Sequence, residues 1–415
     1  MRTFFATCLA FLLVVSTSEW APAQHLGFKI LKNRTKRVRI PFELYSNLIV
    51  IPVQVNDGEV LKFILDTGVR TAILTNGMYV DGLPTVNDRI ISLMGAGQNG
   101  EISAYVSSGI SFSLPEGVAA QGNSMLILKE DYLQLDNFLG TRIHGILGYE
   151  LFSRFVVEID YMHQEIVLHK TEHFKPRRSY TEIPIVIEDT KPYINNVQLT
   201  LNDSTTINAK LMIDTGASHS LMLNIAHHDS VQVPEPNIAG YLGRGLSGDI
   251  YGHMARVPMM GMDKYMLKDV TSSFPEANEF TQVLATRAQH QGSMGGAVLK
   301  RFRVVFDYAR SKIYLKKNRM FKKPFEYNMS GMEMIASGPL LSTFTASKIS
   351  PDSPAYRAGI REGDIVLSVN GIKPPALTLG VYSNIVNQKA GRAVTVRVFQ
   401  EGKIVKKKLR LERVL

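Results

Sequence analysis

The chain is nearly without cysteine and tryptophan: 415 residues contain one of each, Cys8 and Trp20. Both precede position 24, where an N-terminal leader should end. Arg2, an apolar run over 4–15 and Ala21-Pro22-Ala23 form that leader, with cleavage expected before Gln24. The mature chain would then hold no thiol. That excludes disulfides, a cysteine nucleophile and cysteine-ligated metal. The leader's apolar run is short of the roughly 20 residues a membrane span needs, and no later stretch qualifies. An exported protein of this size without disulfides fits a bacterial envelope, so a periplasmic or extracellular location is expected.

Acidic residues are also in deficit, 37 against 47 Lys and Arg, for a net charge of +10. Basic runs at 175–178, 316–323 and 406–413 could meet anionic lipid or polysaccharide, but solvated strand faces and linkers are the plainer reading. Aromatic residues do not interleave with these runs, so a nucleic-acid platform is not expected. The sequons at Asn33, Asn202 and Asn328 matter only in a glycosylating host. His227-His228 lacks a third ligand at metal-site spacing and reads as a surface loop, so no metal or cofactor is implied. Neither a Ser-His-Asp order nor a nucleophile elbow stands out.

What the chain does have, it has twice. Phe63-Ile64-Leu65 leads into Asp66-Thr67-Gly68, and Leu211-Met212-Ile213 leads into Asp214-Thr215-Gly216. An apolar run into Asp-Thr-Gly reads as a buried strand ending in a tight turn that presents a carboxylate. Glycine permits the turn, and the threonine hydroxyl can bond across to a partner loop. Two such loops face to face would bring two carboxylates into hydrogen-bond reach. Like charges that close hold one proton between them, so one group can accept a proton while the other donates.

The repeat extends beyond these loops. Asp66 and Asp214 are separated by 214 − 66 = 148 residues. Gly95-Ala96-Gly97-Gln98-Asn99-Gly100 matches Gly243-Arg244-Gly245-Leu246-Ser247-Gly248 at 243 − 95 = 148. Gly145-Ile146-Leu147-Gly148 matches Gly292-Ser293-Met294-Gly295 at 292 − 145 = 147, and 154–161 matches 301–308. Three blocks in one order at nearly one offset mean a duplicated unit. Both glycine blocks spell Gly-x-Gly-x-x-Gly, yet a strand pattern follows where a dinucleotide site needs a helix.

With these motifs, residues 39–317 resemble the retropepsin-like aspartic peptidases, with both lobes in one chain. The resemblance implies a mostly β, bilobal acid-protease fold of two duplicated lobes. Asp66 and Asp214 would be the catalytic pair, with Thr67, Gly68, Thr215 and Gly216 supporting their loops. Gly95, Gly97, Gly100, Gly243, Gly245 and Gly248 would belong to two flaps that cover a peptide substrate. Ile146-Leu147-Gly148 and Ser293-Met294-Gly295 would be supporting segments. Two departures stand out: Val69 follows the first Asp-Thr-Gly where many relatives carry a hydroxyl, and Ser293 stands where the support is usually apolar.

Along the chain, strands are expected at 48–53, 69–74, 102–114, 156–161 and 165–169, with a hairpin turn at Asn56-Asp57-Gly58. A short helix is expected over 148–155, an inter-lobe linker at 171–182, a longer second-lobe hairpin at 201–208 and a second linker at 316–327. Beyond it, Ser350-Pro351-Asp352-Ser353-Pro354-Ala355, Ala358-Gly359-Ile360, Gly363-Asp364-Ile365-Val366 and Val369-Asn370-Gly371 resemble a bacterial-type PDZ domain over about 325–415. Such domains add a peptide as an extra strand and hold its terminal carboxylate on backbone amides. The turn that would do so contains Gly331, Met332 and Met334, with Gly338-Pro339-Leu340 as an alternative, and the groove helix lies at about 379–387. Alternatively, the groove holds only a segment of the chain itself.

The expected layout is a leader at 1–23, protease lobes at 24–172 and 173–322, and a PDZ domain at 323–415. The resemblance implies an exported aspartic endopeptidase acting on peptides or proteins, with the PDZ domain taking a C-terminal peptide. Because both lobes lie in one chain, no dimer is required for the pair. An inactive peptide-binding envelope scaffold and a PDZ adaptor are the alternatives.

Overall fold

The computed structural model describes residues 27–32, 34–80, 85–98, 100–202, 204–224, 232–277 and 290–415. The expected leader, Cys8, Asn33 and His227-His228 lie outside these residues. Strand accounts for 52% of the described residues and helix for 10%, so the protein is mostly β, as expected. No helix among the described residues is long and apolar enough to cross a membrane.

The two halves repeat one strand arrangement. Val60–Leu65 runs into Asp66 and pairs in parallel with Gly145–Leu147, which pairs antiparallel with Ala72–Leu74. In the second half Thr206–Ile213 runs into Asp214 and pairs in parallel with Gly292–Met294, which pairs antiparallel with Leu221–Leu223. Each half also carries a long hairpin, Thr85–Met94 with Glu101–Leu114, and Asn237–Gly245 with Gly248–Met262. The strands that run into the two acids bury apolar side chains, among them Phe63, Leu65, Leu211 and Ile213.

A six-stranded antiparallel sheet joins the halves in the order Thr181–Pro184, Lys312–Lys317, Phe302–Asp307, Phe155–Asp160, Glu165–Lys170, Arg37–Pro41. At its centre Val157 faces Phe306 and Ile159 faces Val304. One buried apolar cluster therefore runs from Phe28 to Phe325 through both halves.

Among the described residues the strands are punctuated by five short helices: α1 (Leu135–Leu139), α2 (Tyr149–Phe152), α3 (Gly296–Leu299), α4 (Pro354–Arg357) and α5 (Leu379–Val386). The helix expected over 148–155 is only α2, because Phe155 already belongs to the central sheet. The strand expected at 69–74 begins at Ala72, since the Val69 amide turns back to the Asp66 carbonyl. The hairpin placed at 201–208 is a turn at 201–205, with the strand resuming at Thr206. The Asn56-Asp57-Gly58 turn forms as expected, with Gly58 N–H donating to the Val55 carbonyl.

The C-terminal unit is a five-stranded antiparallel sheet: Met332–Ser337, Thr343–Ile349, Ile365–Val369, Ala393–Gln400 and Lys403–Arg410, in that order. It has its own apolar cluster. The segment before it is not a free linker. Arg301 is 3% exposed and donates to the carbonyls of Met320 (3.0 Å), Lys323 and Pro324 (3.1 Å). Its guanidinium lies 3.4 Å from the Phe325 ring centroid, and burial lowers its pKa to about 10. Replacing Arg301 by Met should destabilise the chain by on the order of 3 kcal/mol, because several charge-assisted hydrogen bonds are lost at once. Limited proteolysis should then cut first within 318–325; an unchanged cleavage pattern and melting temperature would remove Arg301 as the tie.

Candidate functional site

The two Asp-Thr-Gly turns meet between the halves. Asp66 N–H donates to the Leu147 carbonyl and Asp214 N–H to the Met294 carbonyl, both at 2.9 Å, so each loop is pinned to its parallel neighbour. The glycine that follows each neighbour must be glycine. A Cβ on Gly148 would overlap the Asp66 carbonyl, and one on Gly295 would overlap the His219 carbonyl.

The threonines then lock the turns to each other. Thr67 Oγ1 donates to the Ile213 carbonyl (2.6 Å) and accepts from Thr215 N–H (3.1 Å). Thr215 Oγ1 donates to the Leu65 carbonyl (2.8 Å) and accepts from Thr67 N–H (3.0 Å). Both residues are buried. Gly68 N–H donates to Asp66 Oδ1 (2.6 Å) and Gly216 N–H to Asp214 Oδ1 (2.9 Å).

Asp66 and Asp214 consequently lie side by side, their carboxyls hydrogen-bonded to each other. Burial raises Asp66 above the ordinary carboxylate range. Burial and the adjacent Asp66 charge raise Asp214 well above it, while Lys191 opposes the rise at both. A pair in this state favours one shared proton at pH values where isolated carboxyls are ionised. Among the described residues, no cluster of three or more His, Cys, Asp or Glu has the arrangement to hold a metal.

The glycine-rich blocks fall at the ends of the two long hairpins, and the tips touch. Ser247 N–H donates to the Ala96 carbonyl (2.9 Å), and Gly95 N–H donates to Ser247 Oγ (3.2 Å). Gly97 and Gly245 allow this approach, since a Cβ on either would overlap the opposite tip. Gly100 and Gly248 have φ of +70° and +98° and shape the turns. Gly243 and Gly245 lie inside the strand Asn237–Gly245 rather than in the turn itself.

Three participants carry no motif and were not legible in the sequence. Ser247 makes both tip contacts through its backbone and side chain. Lys191, at the start of Lys191–Thr200, reaches both carboxyls electrostatically. His219 explains the polar residue at 293: its Nε2 and Ser293 Oγ are hydrogen-bonded at 2.9 Å, and burial lowers the imidazole pKa to about 4. Only the odd polar residue in an apolar segment hinted at this pair. Val69, the other departure, packs on the first half's apolar cluster while its carbonyl accepts from Tyr149 N–H.

In the C-terminal unit, the terminal strand Met332–Ser337 and helix α5 flank a groove. Residues 345–398 match the family model described as PDZ domain. The C-terminal unit is a PDZ domain. No curated protein matches the chain. A PDZ domain fits peptide or protein partners. The turn expected to hold a ligand carboxylate is present, but Met332 and Met334 point into the PDZ core, at 0% and 6% exposure. Met332 N–H already donates to Ser330 Oγ (3.2 Å), whose hydroxyl is also bonded to Tyr382. Gly331 has φ +69°, and a Cβ there would overlap Ser353. A ligand could therefore meet only the backbone of this turn, not those methionine side chains.

Thr67→Val should cost about 2–5 kcal/mol, because the buried Thr215 N–H and Ile213 carbonyl lose their partner and each unpaired buried group costs about 1–3 kcal/mol. Chemical denaturation measures this, and a loss below about 1 kcal/mol would contradict the lock. The His219 pKa is depressed in the fold, so the native state resists its protonation. Stability from neutral His219 is present above about pH 6.5 and falls as pH drops toward 4. His219→Gln should flatten that part of the melting-temperature profile relative to wild type; identical profiles would show that His219 does not contribute.

Proposed function

We propose that the chain is an exported aspartic endopeptidase of the retropepsin-like kind, with Asp66 and Asp214 as its catalytic pair. The observation that carries this reading is the contact between two partly buried carboxyls, held by reciprocal threonine bonds and placed to share one proton. Neither a turn nor an ion pair requires two acids to be forced together. The touching hairpin tips support it further, since flaps that meet above the pair would exclude water from the reacting bond.

The proposed chemistry uses this chain's residues alone. The ionised carboxylate takes a proton from water as its oxygen attacks the peptide carbonyl carbon. The protonated carboxyl gives its proton to the carbonyl oxygen, forming a gem-diol. Collapse returns a proton through the pair to the amide nitrogen, and the C–N bond breaks. The flaps must part to admit an extended peptide and close over it. Both acids belong to one chain, so a dimer is not needed.

The test is cleavage of a peptide library by the chain from residue 24 onward, across acid to neutral pH. Asp66→Asn and Asp214→Asn should each lower the rate by about 10⁴-fold or more, as removal of one member of a catalytic unit does. Substantial turnover by either variant would sink the mechanism. No cleavage by folded wild type at any pH would favour the inactive peptide-binding scaffold. The rate should fall on the alkaline side as the pair loses its proton. Lys191→Met should move that limb to higher pH, because burial raises both carboxyls and Lys191 opposes the rise.

A further inference from the structure

The PDZ groove is not empty. Helix α1, from the first half, packs against both Met332–Ser337 and α5, the two elements between which a peptide would add. Gly140, just after α1, lies against the side chain of Leu379, the first residue of α5. Arg142 Nη2 donates to the Pro339 carbonyl (3.2 Å) in the turn that follows the same strand. Leu133 and Leu139 of this segment are rooted in the first half's apolar cluster.

The same segment reaches the second flap. The Tyr132 carbonyl accepts from Arg244 Nε (3.0 Å), and Arg244 Nη1 is paired with Asp249 (2.7 Å), on the opposite strand of the hairpin. The PDZ domain grips that hairpin as well. Lys348 Nζ lies 5.7 Å from the Tyr251 ring centroid and 6.0 Å from that of Tyr241, and 4.0 Å from Asp249. Ile238 and Met254 of the hairpin pack on the PDZ core.

We propose that residues 131–142 form an internal latch: they occupy the PDZ groove and hold the second flap down through Tyr132 and Arg244. A peptide with a free C-terminal carboxylate and an apolar last residue displaces the latch and so frees Arg244 from Tyr132, loosening the hairpin 237–262 while its contacts with Lys348 and the PDZ core remain. This couples the groove to the cleft through one mobile element with two contacts, and the coupling must be reciprocal. It rests on the peptidase reading only for its consequence, faster cleavage.

The geometry supplies its own test. A Cβ built on Gly140 is 3.8 Å from Leu379 Cβ, the separation a disulfide needs. In a Cys8→Ser, Asp66→Asn background, Gly140→Cys with Leu379→Cys gives the only two thiols and a chain that cannot cut its ligand. The probe is a pool of fluorescein-labelled hexapeptides ending in free Val, Leu, Ile or Phe. Reduced protein should bind the pool, and oxidation should weaken binding by about fivefold or more, within the range of ordinary coupling. Adding the pool to reduced protein should speed hydrogen exchange of amides in 237–262 by a similar factor. Arg244→Gln, with native groove residues, should speed that exchange without peptide, which guards against a misfolded cysteine variant. Equal binding by both redox forms, no binding by reduced protein, or exchange in 237–262 indifferent to both peptide and Arg244→Gln would each overturn the latch. None of these readouts needs cleavage, so they fail independently of the peptidase reading.

Discussion

The exchange of hydrogen bonds between Thr67 and Thr215 is the constraint on which the rest of the molecule depends. Two carboxyls in contact and largely removed from water resist being there, through desolvation and through repulsion when both are ionised. Their side chains cannot supply the force that joins them. The backbone supplies it: each threonine hydroxyl ties its own turn to the carbonyl preceding the other acid. Because the bonds are reciprocal and buried, loosening one turn leaves unpaired groups on both sides. The central sheet, where Phe155–Asp160 pairs with Phe302–Asp307, makes the same demand on a larger scale. Neither half completes its own core or its own acid pair.

The two halves share geometry but not chemistry around the pair. Position 146 is Ile and its counterpart 293 is Ser, bonded to His219. Lys191, which bears on both acids, opens the strand that pairs with the one leading into Asp214, and the first half has Leu48 at the matching position. Asn47 of the first half donates to the Ser218 carbonyl, whereas the reciprocal contact is an exposed ion pair between Arg70 and Asp189. A symmetric dimer would have to carry each of these residues twice. A single chain lets the surroundings of the two acids differ.

The parts legible in the sequence were those fixed by short-range stereochemistry. Asp-Thr-Gly, the paired glycine blocks, Gly148 and Gly295 were readable because only certain residues fit those turns and close approaches. The PDZ motifs were readable for the same reason, and 345–398 carry the family match. Ser247, Lys191 and the His219–Ser293 pair were not, because their roles arise from residues distant along the chain, 293 − 219 = 74 positions for the last pair. The helix expected over 148–155 was too long because its apolar residues serve the central sheet instead. Met332 and Met334 show the same limit: their place in the motif was clear, while the direction of their side chains was set by packing.

The possibility that the groove holds a segment of its own chain was visible from the sequence, but not which segment. Nothing in 131–142 looks like a ligand: it offers no chain-terminal carboxylate, and α1 is a helix rather than a strand. An imperfect occupant is what a displaceable latch requires. A strand that completed the sheet with a buried carboxylate would compete too well for any peptide to replace it. A helix resting on the groove covers apolar surface without satisfying the strand's open edge, so an incoming strand gains hydrogen bonds that the latch never made. The first flap has no such PDZ contact among the described residues. Control would therefore fall on one flap alone, an asymmetry that only a fused pair of halves permits.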